Sequence, residues 1–155
     1  MIKADVFVAN KNWKKHIKAP NLYINKKLRK ISKKVSMLKK NNFNFSILLA
    51  GDNEVKKLNK KFRKRNKTTD ILSFPFHEKN ALNILLRKKK IQIYLGDVII
   101  NLNKMTPKIK GNFFFLNFDK IWIHGLTHLL GYRHKSNHDF SKMRKIENKL
   151  INFSK

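Results

Sequence analysis

Residues 43–50 read F-N-F-S-I-L-L-A, a dense apolar run of strand length that gives way to Gly51, Asp52 and Asn53. So short a run, closed by turn-forming residues, predicts a buried β-strand. Upstream of it, Leu28, Ile31, Val35 and Leu38 recur at three- and four-residue spacing among Lys and Arg, which predicts an amphipathic helix with one buried stripe. Downstream, Asp52 or Asn53 can cap a second helix through about residue 62, with Val55, Leu58 and Phe62 along one side. A strand held between two amphipathic helices calls for a sheet layer with helices against it.

Further strands follow from the same reasoning. Residues 4–9 alternate Val6 and Val8 against Asp5 and Phe7, a half-buried strand pattern. Residues 70–76, D-I-L-S-F-P-F, are strand-like, but Pro75 cannot donate to a ladder and so belongs at a sheet edge or strand end. Residues 91–100, I-Q-I-Y-L-G-D-V-I-I, predict another strand, interrupted at Gly96. Between these two, residues 77–90 are expected to form a loop or hairpin connection carrying the basic run R-K-K-K. After a looser stretch at 105–111, the apolar segment 113–130 is expected to be a buried helix in its second half, and a last helix runs over about 139–153. The expectation is an α+β fold: one small mixed β-sheet packed with about five helices, in a single domain over residues 1–155.

Composition narrows the function. There is no Cys among the 155 residues, so a disulfide framework and a thiolate metal site are both excluded, and any metal must sit on His, Asp or Glu. The first residues lack the apolar stretch of a signal peptide, and no apolar run approaches the roughly 20 residues that span a bilayer, so a cytoplasmic protein with no membrane partner is expected. Thirty-seven Lys and Arg against nine Asp and Glu give a net charge of +28. Such an excess draws polyanions and favours a nucleic-acid partner. Lys, Asn, Ile and Phe are all abundant, as AT-rich coding would make them, so part of the charge can be compositional.

The chemistry concentrates at residues 124–134, H-G-L-T-H-L-L-G-Y-R-H. His124 and His128, four apart on a helix, share one face. Gly131 accepts the positive φ that ends a helix, and His134 can then swing back from the turn as a third ligand. Three His leave a fourth position open, the arrangement in which a bound zinc lowers the pKa of its water to about 7. Metzincin proteases share the spacing, but there a Glu follows the first His as general base, and here that position is Gly125. Lacking that proton acceptor, worth about 10²–10⁴-fold, a protease is the weaker reading.

The same eleven residues closely resemble the H-G-x-L-H-L-x-G-Y-D-H signature of the YbeY family. T-D-I-L-S-F-P-F at 69–76 resembles that family's P-T-D-V-L-S-F-P segment, L-N-K-K-F-R at 58–63 its L-N-x-x-F-R, and L-G-D at 95–97 its L-G-D-I-x-I strand. Asp139, Met143 and Glu147 match the spacing of its C-terminal helix, so the likeness covers about residues 45–151. The resemblance implies a zinc-dependent single-strand endoribonuclease in late-stage 70S ribosome quality control and maturation of the 3′ end of 16S rRNA. Its partners would be ribosomal RNA and the small subunit, with one zinc ion per chain on His124, His128 and His134. Arg63 becomes the family's functional arginine beside the metal, a group that can pair with a phosphate. Asp70 and Ser73 are further candidates for the cleft.

Three positions depart from that pattern: Thr68 replaces a Pro, Thr127 a Leu, and Arg133 an Asp. Thr127 is expected to loosen the ligand helix slightly. If the missing Asp normally orients a ligand imidazole, Arg133 would weaken zinc binding. His138 is expected to open the last helix with Asp139, and His16 and His77 to lie on the surface or in packing. Two alternatives stand beside the enzyme: a ribosome-assembly or RNA-binding factor with a structural metal, and a metalloprotease-like hydrolase. Oligomeric state is not legible in the sequence.

Overall fold

The computed structural model of the chain describes residues 1–88, 91–105 and 112–155. Four strands, β1 (Ile2–Val8), β2 (Asn42–Ala50), β3 (Ile71–Pro75) and β4 (Gln92–Asn101), form one mixed sheet in the order β1-β2-β4-β3. β1 and β4 both run parallel to β2, while β3 is antiparallel to β4. Six α-helices surround it among the described residues: α1 (Pro20–Lys34), α2 (Ser36–Lys40), α3 (Asp52–Arg63), α4 (Lys79–Arg87), α5 (Asn112–Leu129) and α6 (Asn137–Ser154). The α+β class is as expected. Pro75 ends the edge strand β3, where no ladder donor is needed.

Strand alternation sends Phe43, Phe45, Ile47 and Leu49 of β2 into the main core, beneath α1, α5 and α6. The opposite face carries a smaller cluster, in which Val55 of α3 meets Ala50, Leu72 and Ile99. Burying Phe118, Trp122, Ile123 and Leu126 on α5 contributes about 1.5–3 kcal/mol each for full burial of a large apolar side chain, and ties that helix firmly to the sheet.

Gly96 is the reason β4 serves both faces. Ile93 and Leu95 point to the core, and strict alternation would put Asp97 there next. A bulge at Gly96, with φ +127°, shifts the register against β2 between Asn44 and Ser46, so that Val98 and Ile100 take the core positions instead. Asp97 goes to the other face, where its carboxylate accepts a 2.6 Å hydrogen bond from Tyr94 Oη. A Cβ on residue 96 would stand 2.1 Å from the Phe74 carbonyl oxygen, so glycine is required.

Three expectations need correction. The stripe at Leu28, Ile31, Val35 and Leu38 is carried by two helices rather than one, because Val35, at φ −105° and ψ 110°, is extended between α1 and α2. Residues 79–87 form helix α4 rather than a loop or hairpin, because Leu82, Leu85 and Leu86 fall on one side and pack into the main core. The basic character of the segment hid that stripe, and the end of the R-K-K-K run lies outside the described residues. Helix α5 spans the whole of 112–129 rather than its second half, since Phe114 and Phe118 continue the buried face back toward its start. Of the looser stretch at 105–111, all but Met105 lies outside the described residues.

Candidate metal centre

His124 and His128 project from the last two turns of α5 with ring centroids 4.6 Å apart. The helix ends in a Schellman motif: Gly131 N–H donates to the His128 carbonyl (3.0 Å) and Tyr132 N–H to the Thr127 carbonyl (3.1 Å), with Gly131 at φ +88°. That reversal carries His134 back over the helix end, 5.1 Å from the His128 ring and 6.0 Å from the His124 ring. One nitrogen from each imidazole falls within 4.8 Å of the others, and the three could hold a metal ion.

The outward ring nitrogens are fixed. His128 Nδ1 lies 3.0 Å from the Tyr132 carbonyl oxygen, which only accepts, so this nitrogen carries the proton. His124 Nδ1 lies 2.6 Å from Glu147 Oε1 on α6, a carboxylate oxygen that likewise accepts a hydrogen bond from the Nδ1–H. The two Nε2 atoms therefore present bare lone pairs when the rings are neutral, and they face each other at 3.2 Å. Two acceptors that close repel unless a cation lies between them. Burial, then the neighbouring His124, lowers the His128 pKa from its ordinary 6.5 to about 4, which keeps it in the neutral, ligating form at neutral pH. The three imidazoles fit a metal ion, and zinc, if bound, would take His124, His128 and His134 as its protein ligands.

Gly125 has a packing role. A Cβ there would lie 2.7 Å from Val98 Cγ1 and 3.0 Å from Ile71 Cδ1, so α5 can approach β3 and β4 only because the residue after the first ligand has no side chain. A Glu at this position would have to force the helix off the sheet, which weighs against the protease alternative.

Arg63 is the last residue of α3, fixed there by the left-handed turn at Lys64 (φ 58°). Its Nη2 donates to the Ser73 carbonyl at 2.9 Å, and its guanidinium lies 5.4 Å from the Phe74 ring centre. Burial and then the charges of Arg65 and Arg133 lower its pKa. None of the three arginines makes an ion pair with a carboxylate among the described residues. Arg133, next to His134 in the chain, also bears on His128. Ser73 thus enters through its backbone, holding Arg63. Asp70 is exposed and lines the cleft that opens from His124 and His134.

The departures from the family pattern find partners. Thr127 is fully buried, and its hydroxyl donates to the His124 carbonyl one turn back at 2.7 Å, which satisfies the buried oxygen within the helix. Thr68 Oγ1 donates to Asp52 Oδ1 (3.0 Å), and Asn101 Nδ2 lies 2.8 Å from each of these oxygens, pinning the loop before β3. The orienting carboxylate expected at 133 is supplied by Glu147 from another helix. In the sequence Glu147 only matches the spacing of the family's C-terminal helix, and its being one of nine acids is the one signal of a role. His138 lies exposed in the first turn of α6, His16 stacks on Phe114 at 4.6 Å, and His77 packs edge-on to Phe76.

A mixed sheet bearing three convergent imidazoles at the end of one helix defines an α+β protein with a cluster that could hold a metal ion. A model of the family described as Endoribonuclease YbeY matches residues 7–155. Endoribonuclease YbeY of Pelagibacter ubique is 41% identical over 160 residues, covering 100% of this chain and 97% of its own. The Buchnera aphidicola protein of the same name (from the Schizaphis graminum host) is 34% identical over 152 residues, covering 96% and 88%. The chain belongs to the YbeY family. In fold it is similar to the solution structure of TM1509 from Thermotoga maritima, with a TM-score of 0.60, 21% identity, and coverage of 99% of this chain and 89% of that one.

Proposed function

We propose that this chain is a zinc-dependent, single-strand-specific endoribonuclease that acts on ribosomal RNA in the cytoplasm, in maturation of the 3′ end of 16S rRNA and late 70S quality control. The observation that carries this reading is the pair of bare Nε2 atoms at 3.2 Å, held by Glu147 and the Tyr132 carbonyl, in a chain of an endoribonuclease family. Zinc, when bound, supplies Lewis acidity toward a phosphate oxygen or water. The chain's own groups do the rest. Arg63, held at one N–H by Ser73 O, keeps its other donors for a phosphate and offsets the charge that builds on its oxygens. Arg65 and Arg133 add attraction for the backbone, and the +28 charge raises encounter rates.

Access separates this reading from a structural metal. Structural zinc sites are closed by four protein ligands, whereas this cluster offers three, with His134 exposed and His124 on the wall of an open cleft. No helix among the described residues is long and apolar enough to cross a membrane. The test is cleavage of single-stranded 16S 3′-end fragments by zinc-loaded protein. Cutting that a chelator or His124→Ala abolishes supports the proposal; intact RNA, or equal cutting by the variant, overturns it.

A further inference from the structure

A cleft of about 650 Å³ runs from the imidazole cluster between α5 and α6, and it shares His124, His134 and Glu147 with the metal centre. Its size suits a ligand of one or two nucleotides. Lys104, Lys120 and Arg144 stand on its walls. The carboxylates there are Asp70 and Glu147, and Glu147 is already bound to His124. Phe140 also lines it, 52% exposed in the first turn of α6, with the Arg144 guanidinium 6.0 Å from its ring centre. That turn is held by Ser136, whose side chain accepts from Asp139 N–H and whose carbonyl accepts from Phe140 N–H. The ring is therefore presented to solvent from a fixed backbone.

We propose that this cleft is a nucleotide subsite, in which an unpaired base next to the scissile phosphate stacks on Phe140 while Lys120 and Arg144 hold the adjoining phosphates. The proposal deepens the endoribonuclease reading and rests on it. A polyanion engaged at the imidazoles lies beside the mouth of this cleft, because the two share His124 and His134. An aromatic face flanked by cations suits a base with its phosphate, since every base offers a π-face and every linkage a negative charge. A base inside a duplex is stacked on both faces and could enter only after unpairing. The recess thereby gives a physical origin for single-strand preference.

The test uses zinc-loaded full-length protein and short single-stranded oligonucleotides. Binding is read by fluorescence anisotropy on a 2′-O-methyl strand, and cleavage on the matching RNA. Phe140→Ala is expected to weaken binding about tenfold or more and to lower kcat/KM in step, whereas Phe140→Trp holds both near the parent. A single abasic residue, moved one position at a time, is expected to erase the Phe140→Ala penalty at one position only. An unfolding midpoint unchanged in both variants separates stacking from damage to the fold. Equal binding by Phe140→Ala and the parent, or a penalty that persists on every abasic strand, overturns the subsite. If the parent binds strands with this pattern but never cuts them, the endoribonuclease reading fails and the base-binding cleft stands.

Discussion

Glu147 Oε1 lies 2.6 Å from His124 Nδ1, across 23 residues and from a different helix. This contact fixes which nitrogen of His124 faces the cluster, and it increases the basicity of that nitrogen toward a metal. Glu147→Gln keeps the shape and removes the charge. Zinc affinity is expected to fall about 10–100-fold, the usual effect of losing such a partner, as measured by competition with a chromophoric chelator. Unchanged affinity would show that the carboxylate does not tune the ligand.

Arg133 is expected to have no part in orienting the ligands. Arg133→Asp restores the acid of the family signature beside His134, and removing a cation near the site should leave zinc affinity level or raised, opposite in direction to Glu147→Gln. Single-strand RNA binding should weaken, with a shallower dependence on salt. Tighter RNA binding by the Asp variant would refute the placement of Arg133 on the substrate side.

Gly125 gives a stability prediction against propensity. In a helix interior Ala is favoured over Gly by about 1 kcal/mol. Gly125→Ala nonetheless puts a methyl 2.7 Å from Val98 Cγ1, and overpacking of this kind costs about 1–3 kcal/mol. A lower urea midpoint at constant slope is expected; a raised midpoint would mean that α5 is free to lift from the sheet.

Acid should destabilise the metal-free protein through His128. In the unfolded chain this residue takes a proton near pH 6.5, while in the fold it stays neutral to about pH 4. Its contribution is therefore present in full above pH 6.5 and is lost as pH falls through that window toward 4. Thermal unfolding of chelated protein at pH 7.5 and 5.0 checks this, with His128→Asn expected to lose less between the two. Equal losses would count against a neutral, half-buried His128.

Much of this was legible in the sequence, for identifiable reasons. The run at 43–50 is a dense apolar stretch of strand length, so a strand followed directly, and Leu28 and Ile31 mark the buried stripe of α1; the extended backbone at Val35, which puts Leu38 on the separate helix α2, leaves no mark in the apolar spacing. The ligand turn was readable because Gly131 is demanded by a positive φ within a local motif. Helix α4 was not, since its three leucines sit in a segment whose charge and connecting position suggested a loop. Glu147 and Asn101 act across 23 and 49 residues, and the Ser73 carbonyl reaches Arg63 from a different element, so no local pattern announces a partner that only the fold brings near. Gly125 had been noted for the Glu it lacks; its packing against Val98 needed the sheet.

Metal analysis with X-ray absorption at the zinc edge bears most directly on the three imidazoles as ligands. One ion per chain is expected, with three imidazole nitrogens at about 2.0–2.1 Å and one further light atom, and with the signal lost in His128→Ala. Substoichiometric zinc with fewer than two imidazoles, or equal binding by the His128→Ala variant, would contradict the account.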